Sequence, residues 1–232
     1  MLKFLRIELA QGSFHLSANL SVQTQAITAI IGPSGGGKST LLSAVAGFLN
    51  PVSGSLIWGE TDITDLSPSD RPVSILFQDN NLFPHLTIAD NIGLALHPNL
   101  RLDADDKGRI ADVLTEVGLD GLGERRPSAL SGGQQSRAAL ARILLADRDI
   151  VLLDEPFAAL GPGLKADMLT LVQTKVAAAG KTVLMVTHDP KDALEIADQV
   201  VLVSDGQAHA PVDTKAMFSD PPDALKEYLG LK

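Results

Sequence analysis

The chain has 232 residues, 45% of them hydrophobic and 20% charged, a composition suited to one large soluble domain or a core with an attached subdomain. Nineteen Lys and Arg against 28 Asp and Glu give a formal charge of -9, which argues against a surface built to grip nucleic-acid phosphates. The chain has no cysteine, so disulfides and thiolate metal sites are excluded.

Lys3, Arg6 and Glu8 break any signal-peptide hydrophobic region at the start. No apolar run approaches the roughly 18 residues of a spanning helix. The chain is therefore expected in the cytoplasm, with any membrane role acting through a partner. Leu5, Ile7 and Leu9 alternate, as do Phe14, Leu16, Leu20 and Val22, which predicts paired strands near the N-terminus. Residues 26–31 form a continuous apolar run, as in a strand buried on both faces, and residues 38–46 read as a helix. Similar apolar runs occupy 73–77, 150–153, 182–187 and 200–204, with helical patterns between them. That alternation predicts an α/β fold around a mostly parallel sheet, with an antiparallel β element at the N-terminus. From about residue 86 to 146 no strand pattern occurs, and residues 87–96, 103–117 and 132–145 read as helices of an inserted subdomain. After Gly206 only 26 residues remain, too few for a separate regulatory domain.

The run "GPSGGGKST" (Gly32, Pro33, Ser34, Gly35, Gly36, Gly37, Lys38, Ser39, Thr40) fits G-x-x-x-x-G-K-[ST] between a predicted strand and a predicted helix. Glycines let successive backbone N–H groups curl inward onto phosphate oxygens, and the helix start adds partial positive charge. In such a loop Lys38 bridges the β- and γ-phosphates and Ser39 ligates Mg²⁺. At the end of "IVLL", Asp154 is placed to hold the ion's hydration shell and Glu155 to polarise the water that attacks the γ-phosphate.

"LSGGQ", residues 130–134, contains a capping box, with Ser131 as N-cap and Gln134 three residues on. Ser131, Gly132, Gly133 and Gln134 also make a second helix start able to bind phosphate. Two such starts in different subdomains can serve one nucleotide if two copies face each other head to tail.

With "GPSGGGKST", "IVLLDEP" and "VTHDP", the LSGGQ run resembles the nucleotide-binding subunits of ABC transporters, in that family's order and over essentially the whole chain. The resemblance implies an ATP- and Mg²⁺-dependent ATPase that couples energy to an importer. It implies a homodimer at the cytoplasmic face of the inner membrane, bound to integral-membrane permease subunits and served indirectly by a periplasmic solute-binding protein. Gln78 would then sense the metal and the attacking water, residues 79–92 would meet the permease, and His188 would contact the γ-phosphate. "RPVSILFQDNNLFPHLTIADNIGLAL", residues 71–96, is similar to bacterial thiamine-importer ATPases, which suggests thiamine or its phosphate esters as cargo, with another small solute as the alternative.

Two features depart from the family pattern. No aromatic upstream of the phosphate loop is evident for stacking on adenine; Phe14 is the nearest, and its alternation with Leu16 equally suits a core position. Where the family commonly has Ser-Ala-Leu-Asp, this chain has Ala158, Ala159, Leu160 and Gly161, so the contacts between subunits made by that serine and aspartate do not carry over. A soluble ABC protein acting on DNA or ribosomes would bring tandem cassettes, a long coiled coil or a basic surface, and a small-molecule kinase has no use for LSGGQ. A non-catalytic scaffold is disfavoured by intact Lys38, Asp154, Glu155 and His188.

Overall fold

The computed structural model describes residues 1–77 and 81–230. Strands β1 (Leu2–Gln11) and β2 (Phe14–Val22) form an antiparallel hairpin, followed by β3 (Ile27–Ile31) and helix α1 (Lys38–Ala46). Next come β4 (Ser53–Trp58), β5 (Thr61–Asp62) and β6 (Val73–Leu76). Helices α2 (Ile88–Gly93), α3 (Ala104–Glu116) and α4 (Gly132–Ala146) lead to β7 (Ile150–Asp154). The remainder comprises α5 (Pro162–Leu171), β8 (Thr182–Val186), α6 (Pro190–Ile196), β9 (Gln199–Ser204), β10 (Gln207–Ala208), β11 (Val212–Asp213), α7 (Thr214–Ser219) and α8 (Asp223–Leu229).

The sheet runs β5-β4-β1-β2-β10-β9-β3-β8-β7-β6, with β11 also paired to β9. From β9 to β6 every neighbour is parallel, while β5, β4, β1 and β2 are antiparallel. This is the expected α/β sheet with its antiparallel element. Alternate residues explain the unbroken apolar runs. Ile150, Leu152, Leu184 and Val186 face the cluster around α1, and Val151, Leu153, Val183 and Met185 face the cluster around α5. Both faces are covered, and the polar residues of these two strands stand at their ends, Thr182 at the start of β8 and Asp154 at the end of β7.

Helix α4 joins the helical layer to the sheet. Its Ala138, Ala141 and Leu145 pack with Ile88, Ile92, Ile110 and Leu114 of α2 and α3, and its Ala139, Leu140 and Ile143 pack against the sheet. Buried Asn91 fixes the turn before α2: its side-chain amide donates to the carbonyls of Phe83 (3.0 Å) and Thr87 (2.8 Å), and its Oδ1 accepts from Phe83 N–H (2.6 Å).

The expected alternation of Leu5 with Ile7 and Leu9 is corrected by the structure. Leu2, Phe4, Ile7 and Leu9 are buried, whereas Leu5 is 44% exposed. A bulge lies between Phe4 and Ile7, where Arg6 takes a φ of 50°, and the extra residue switches the face that points inward.

Arg71 is fully buried and was not singled out by the sequence. Its guanidinium donates to Ala44 O (2.6 Å) and Val45 O (3.0 Å) at the end of α1, and to Thr64 O (2.6 Å) and Leu66 O (3.0 Å). One side chain thereby binds two carbonyls in the last turn of α1 and ties down the loop after β5. Replacing Arg71 by Met should lower unfolding stability by about 3 kcal/mol or more, because several carbonyls bonded to a charged group lose their donor. Chemical denaturation checks this, and an unchanged midpoint would contradict the anchoring role.

Candidate functional site

The carboxyl end of β3 turns through Gly32, Pro33, Ser34, Gly35, Gly36 and Gly37 into α1. Gly32 has a φ of 146°, and a Cβ there would stand 2.0 Å from the Val203 carbonyl oxygen. Gly37 has a φ of 102°, and a Cβ there would stand 2.5 Å from Cζ of Phe14. Neither position admits a side chain. Gly37 is the N-cap of α1 without a side-chain bond, and the first helical bond runs from Leu41 N–H to Gly37 O at 2.9 Å. The N–H groups of Lys38, Ser39 and Thr40 lie ahead of that bond, so the helix start presents aligned donors to an anion.

Lys38 is nearly buried, and its ammonium donates to the carbonyls of Gly32 and Pro33, each at 2.9 Å. Burial pushes its pKa below the usual lysine range, while the charges of Glu155 and Asp154 pull it back up. Asp154 ends β7, and Ser39 Oγ donates to its Oδ1 at 2.9 Å. Burial raises the Asp154 pKa, the Ser39 hydrogen bond opposes that, Glu155 adds to the rise and Lys38 opposes it.

Glu155 leaves the strand with a φ of 47°, in the left-handed region, while its N–H still bonds Val186 O at 3.1 Å. That backbone is costly for a residue with a Cβ, and such strain concentrates at working sites. Nδ1 of His188, beyond the end of β8, lies 3.2 Å from Glu155 Oε2, and the His188 side chain is 55% exposed. A carboxylate oxygen only accepts, so this contact is a hydrogen bond when Nδ1 carries a proton. Lys38, Asp154, Glu155 and His188 thus meet at the ends of three adjacent strands. A cleft of about 300 Å³ opens there, with Phe14, Ser34, Lys38, Ser39 and Glu155 in its wall. Phe14 packs partly against the core, as its alternation with Leu16 suggested, and also stands in the wall of the cleft.

Ser131 caps α4 as expected. Gln134 N–H donates to Ser131 Oγ at 3.3 Å, and Ser131 N–H donates to Gln134 Oε1 at 3.0 Å. Ser131 and Gly132 are exposed, and among the described residues none of 131–134 lines the cleft at the phosphate loop. The two helix starts, at Gly37 and at Ser131, are therefore separate within one chain. Gln78 lies outside the described residues. Gly161 is the N-cap of α5, with extended backbone, no side-chain bond and open space around it, so an acid there would have room to cap the helix.

Sequence reasoning missed the ion pairs behind His188. Lys165 of α5 reaches Asp189 Oδ2 at 2.9 Å and Asp192 Oδ1 at 2.6 Å. Burial works against the Lys165 charge, yet the hydrogen bonds to Asp192 and Asp189 outweigh it and hold its pKa above the usual range. Asp189 was visible within VTHDP, but its partner lies 24 positions away with no local signal.

A family model described as "ABC transporter" matches residues 16–158. The chain belongs to the ABC transporter family. Among its relatives in that family is the thiamine import ATP-binding protein ThiQ of Cereibacter sphaeroides, 58% identical over 99% of this chain and all of that protein. The protein of the same name from Escherichia coli is 49% identical over 89% of each chain. Among solved structures, the ATP-binding cassette MJ0796, in a dimeric post-hydrolysis state bound to ADP and Pi, superposes with a TM-score of 0.78 at 28% identity. That superposition covers 92% of this chain and 99% of the other. The parallel sheet, phosphate loop and helical layer are therefore those of an ABC ATPase fold.

The raised pKa of Asp154 has a measurable consequence. An ionised carboxylate disfavoured by burial destabilises the ligand-free fold above the raised value, and that cost disappears as falling pH protonates it. Asp154→Asn keeps an acceptor for Ser39 and removes the charge. The variant should melt slightly higher than the parent near pH 8, a small gain because solvent screens part of the carboxylate. The gain should fade as pH drops toward the ordinary aspartate range. Thermal melts across pH check this, and a lower melting temperature near pH 8 would contradict it.

Proposed function

We propose that the chain is the ATP-hydrolysing, energy-coupling subunit of an ABC importer, working as a homodimer with two shared MgATP sites. One observation carries the reading: Lys38, Asp154, Glu155 and His188 stand together at the ends of β3, β7 and β8, beside the uncapped start of α1. Phosphoryl transfer asks a protein for positioning and charge neutralisation rather than covalent chemistry, and these groups supply both.

Lys38 would exchange the Gly32 and Pro33 carbonyls for β- and γ-phosphate oxygens, restoring the charge pairing that burial denies it. The N–H groups of Ser34 to Thr40 would cradle the phosphates. Mg²⁺, when bound, would neutralise charge on the β- and γ-phosphates. Ser39 and Asp154, 2.9 Å apart, would hold it together with Gln78, a sparse donor set suited to an ion that keeps much of its water. Glu155 would accept the proton of the attacking water, and His188, hydrogen-bonded to Glu155, would contact the γ-phosphate and orient that water. Ser131, Gly132, Gly133 and Gln134 would close over the nucleotide held by a second copy, so each site would need both chains.

We read residues 1–232 as one nucleotide-binding domain with residues 86–146 as its helical subdomain. Among the described residues no helix is long and apolar enough to cross a membrane, and energy would pass to separate permease subunits. A cleft of about 480 Å³ beside α2 and α3, walled by Ala89, Leu102, Ile110 and Leu114, supports docking of such a subunit on this layer. Exposed Phe83 adds apolar surface before α2. The chain would sit peripherally at the cytoplasmic face of the inner membrane. The names of its relatives support thiamine as cargo; its phosphate esters, and delivery to the permease by a periplasmic binding protein, belong to the same proposal.

The roles of Lys38 and Glu155 separate in one experiment on the assembled transporter. Lys38→Ala should lose ATP binding, because the point charge on the β- and γ-phosphates is gone. Glu155→Gln should bind MgATP normally and lose turnover by about 10²–10⁴, the usual worth of a positioned base. Near-parental ATPase activity in either variant would remove the corresponding assignment.

A further inference from the structure

The segment that carries His188 is held from several sides. Beyond the contact with Glu155, Thr187 Oγ1 donates to Asp192 Oδ2 at 2.5 Å, and Lys165 binds Asp189 and Asp192 from α5. A further hold comes from the C-terminal helix. The Tyr228 hydroxyl donates to the main-chain carbonyl of His188 at 2.7 Å, across 40 positions of sequence. Helix α8 is itself anchored, because Leu225 is fully buried and clusters with Met217 of α7 and with Ala29 and Ile31 of β3. Tyr228 and Leu229 pack against that cluster. The phenol is thus referenced to β3, the strand that leads into the phosphate loop. Burial pushes its pKa upward, and the charges of Glu155 and Asp189 push it further, so it remains a donor at neutral pH.

We propose that Tyr228 is a positioning residue for ATP hydrolysis: its bond to the His188 carbonyl sets where the imidazole stands against Glu155, so that the C-terminal helix sets the rate of turnover. The proposal rests on the reading of His188 as a γ-phosphate contact. Its physical basis is that a reacting constellation loses rate when one member shifts by a fraction of its contact distance, even if every group is present. The His188 side chain is more than half exposed, so burial alone does not hold the imidazole against Glu155. The carbonyl held by Tyr228 belongs to the same residue as that ring, which makes it a direct point of control.

Tyr228→Phe keeps the ring in its packing and removes only the donor. In ATPase assays on the full chain, the variant should show a kcat about three- to tenfold below the parent, the factor one hydrogen bond sustains, with the KM for ATP unchanged and the melting temperature lowered by no more than a few degrees. In a double-mutant cycle under single-turnover conditions, adding Tyr228→Phe to His188→Ala should cause no further loss, because the residue through which it acts is gone. Parental turnover of Tyr228→Phe beside an impaired His188→Ala would overturn the proposal and leave the His188 reading standing. An equal loss in both backgrounds, or a loss confined to KM or melting temperature, would make Tyr228 a structural residue and overturn it as well. Full turnover by His188→Ala would instead remove the His188 reading and the proposal with it.

Discussion

Burial of β3, β7 and β8 on both faces leaves their carboxyl ends as the place where polar side chains can leave the sheet. The phosphate loop follows β3, Asp154 and Glu155 follow the apolar run of β7, and His188 follows β8. Parallel pairing brings those three ends to one edge, at neighbouring strands, without any further device. Ligands in open α/β sheets bind in the crevice at that edge for this reason. The charges gathered there are poorly paired in the free chain. Lys38 is bonded to two carbonyls rather than to a carboxylate, and Asp154 accepts from a serine hydroxyl. Such a site is stabilised by what binds it, and local stability is given up for a preorganised field.

The surrounding elements hold that edge still. Arg71 fastens the far end of α1, the helix that carries Lys38 and Ser39 at its start. Lys165 ties α5 to the segment after β8, and Tyr228 ties α8 to it. Helix α5 starts after the N-cap Gly161, which offers no side-chain bond, and Lys165 links the helix to the His188 segment. Helix α4 belongs to the sheet core through one face and to the helical layer through the other, which places the Ser131 helix start on a boundary between two packed bodies.

Much of this was legible in the sequence, for local reasons. The three central strands announce themselves because double burial keeps them nearly all apolar; Thr28 in β3 is buried with its hydroxyl accepting from Gln199 Nε2. The phosphate loop and the Ser131 cap are legible because spacing alone determines their geometry. What escaped reading depends on distant partners. Strand β4 is laid down by pairing with β1, and Gly54 interrupts its pattern; β5, β10 and β11 are two residues long and carry no period. The phase change at Leu5 needs a bulge that no alternation rule signals. Arg71 reads as an ordinary loop charge until α1 is placed beside it, and Tyr228 as a terminal aromatic until β8 is. Site motifs were therefore readable, while the contacts that support them were not.

The central claim is that one nucleotide is shared between the phosphate loop of one chain and the Ser131 helix start of another. Sedimentation of the Glu155→Gln chain with MgATP, with and without Ser131→Arg, tests it most directly. The account predicts an ATP-dependent dimer holding two nucleotides, and its loss on adding Ser131→Arg while each chain still binds ATP. An undiminished dimer in the Ser131→Arg variant, or loss of nucleotide binding by the single chain, would contradict the shared site.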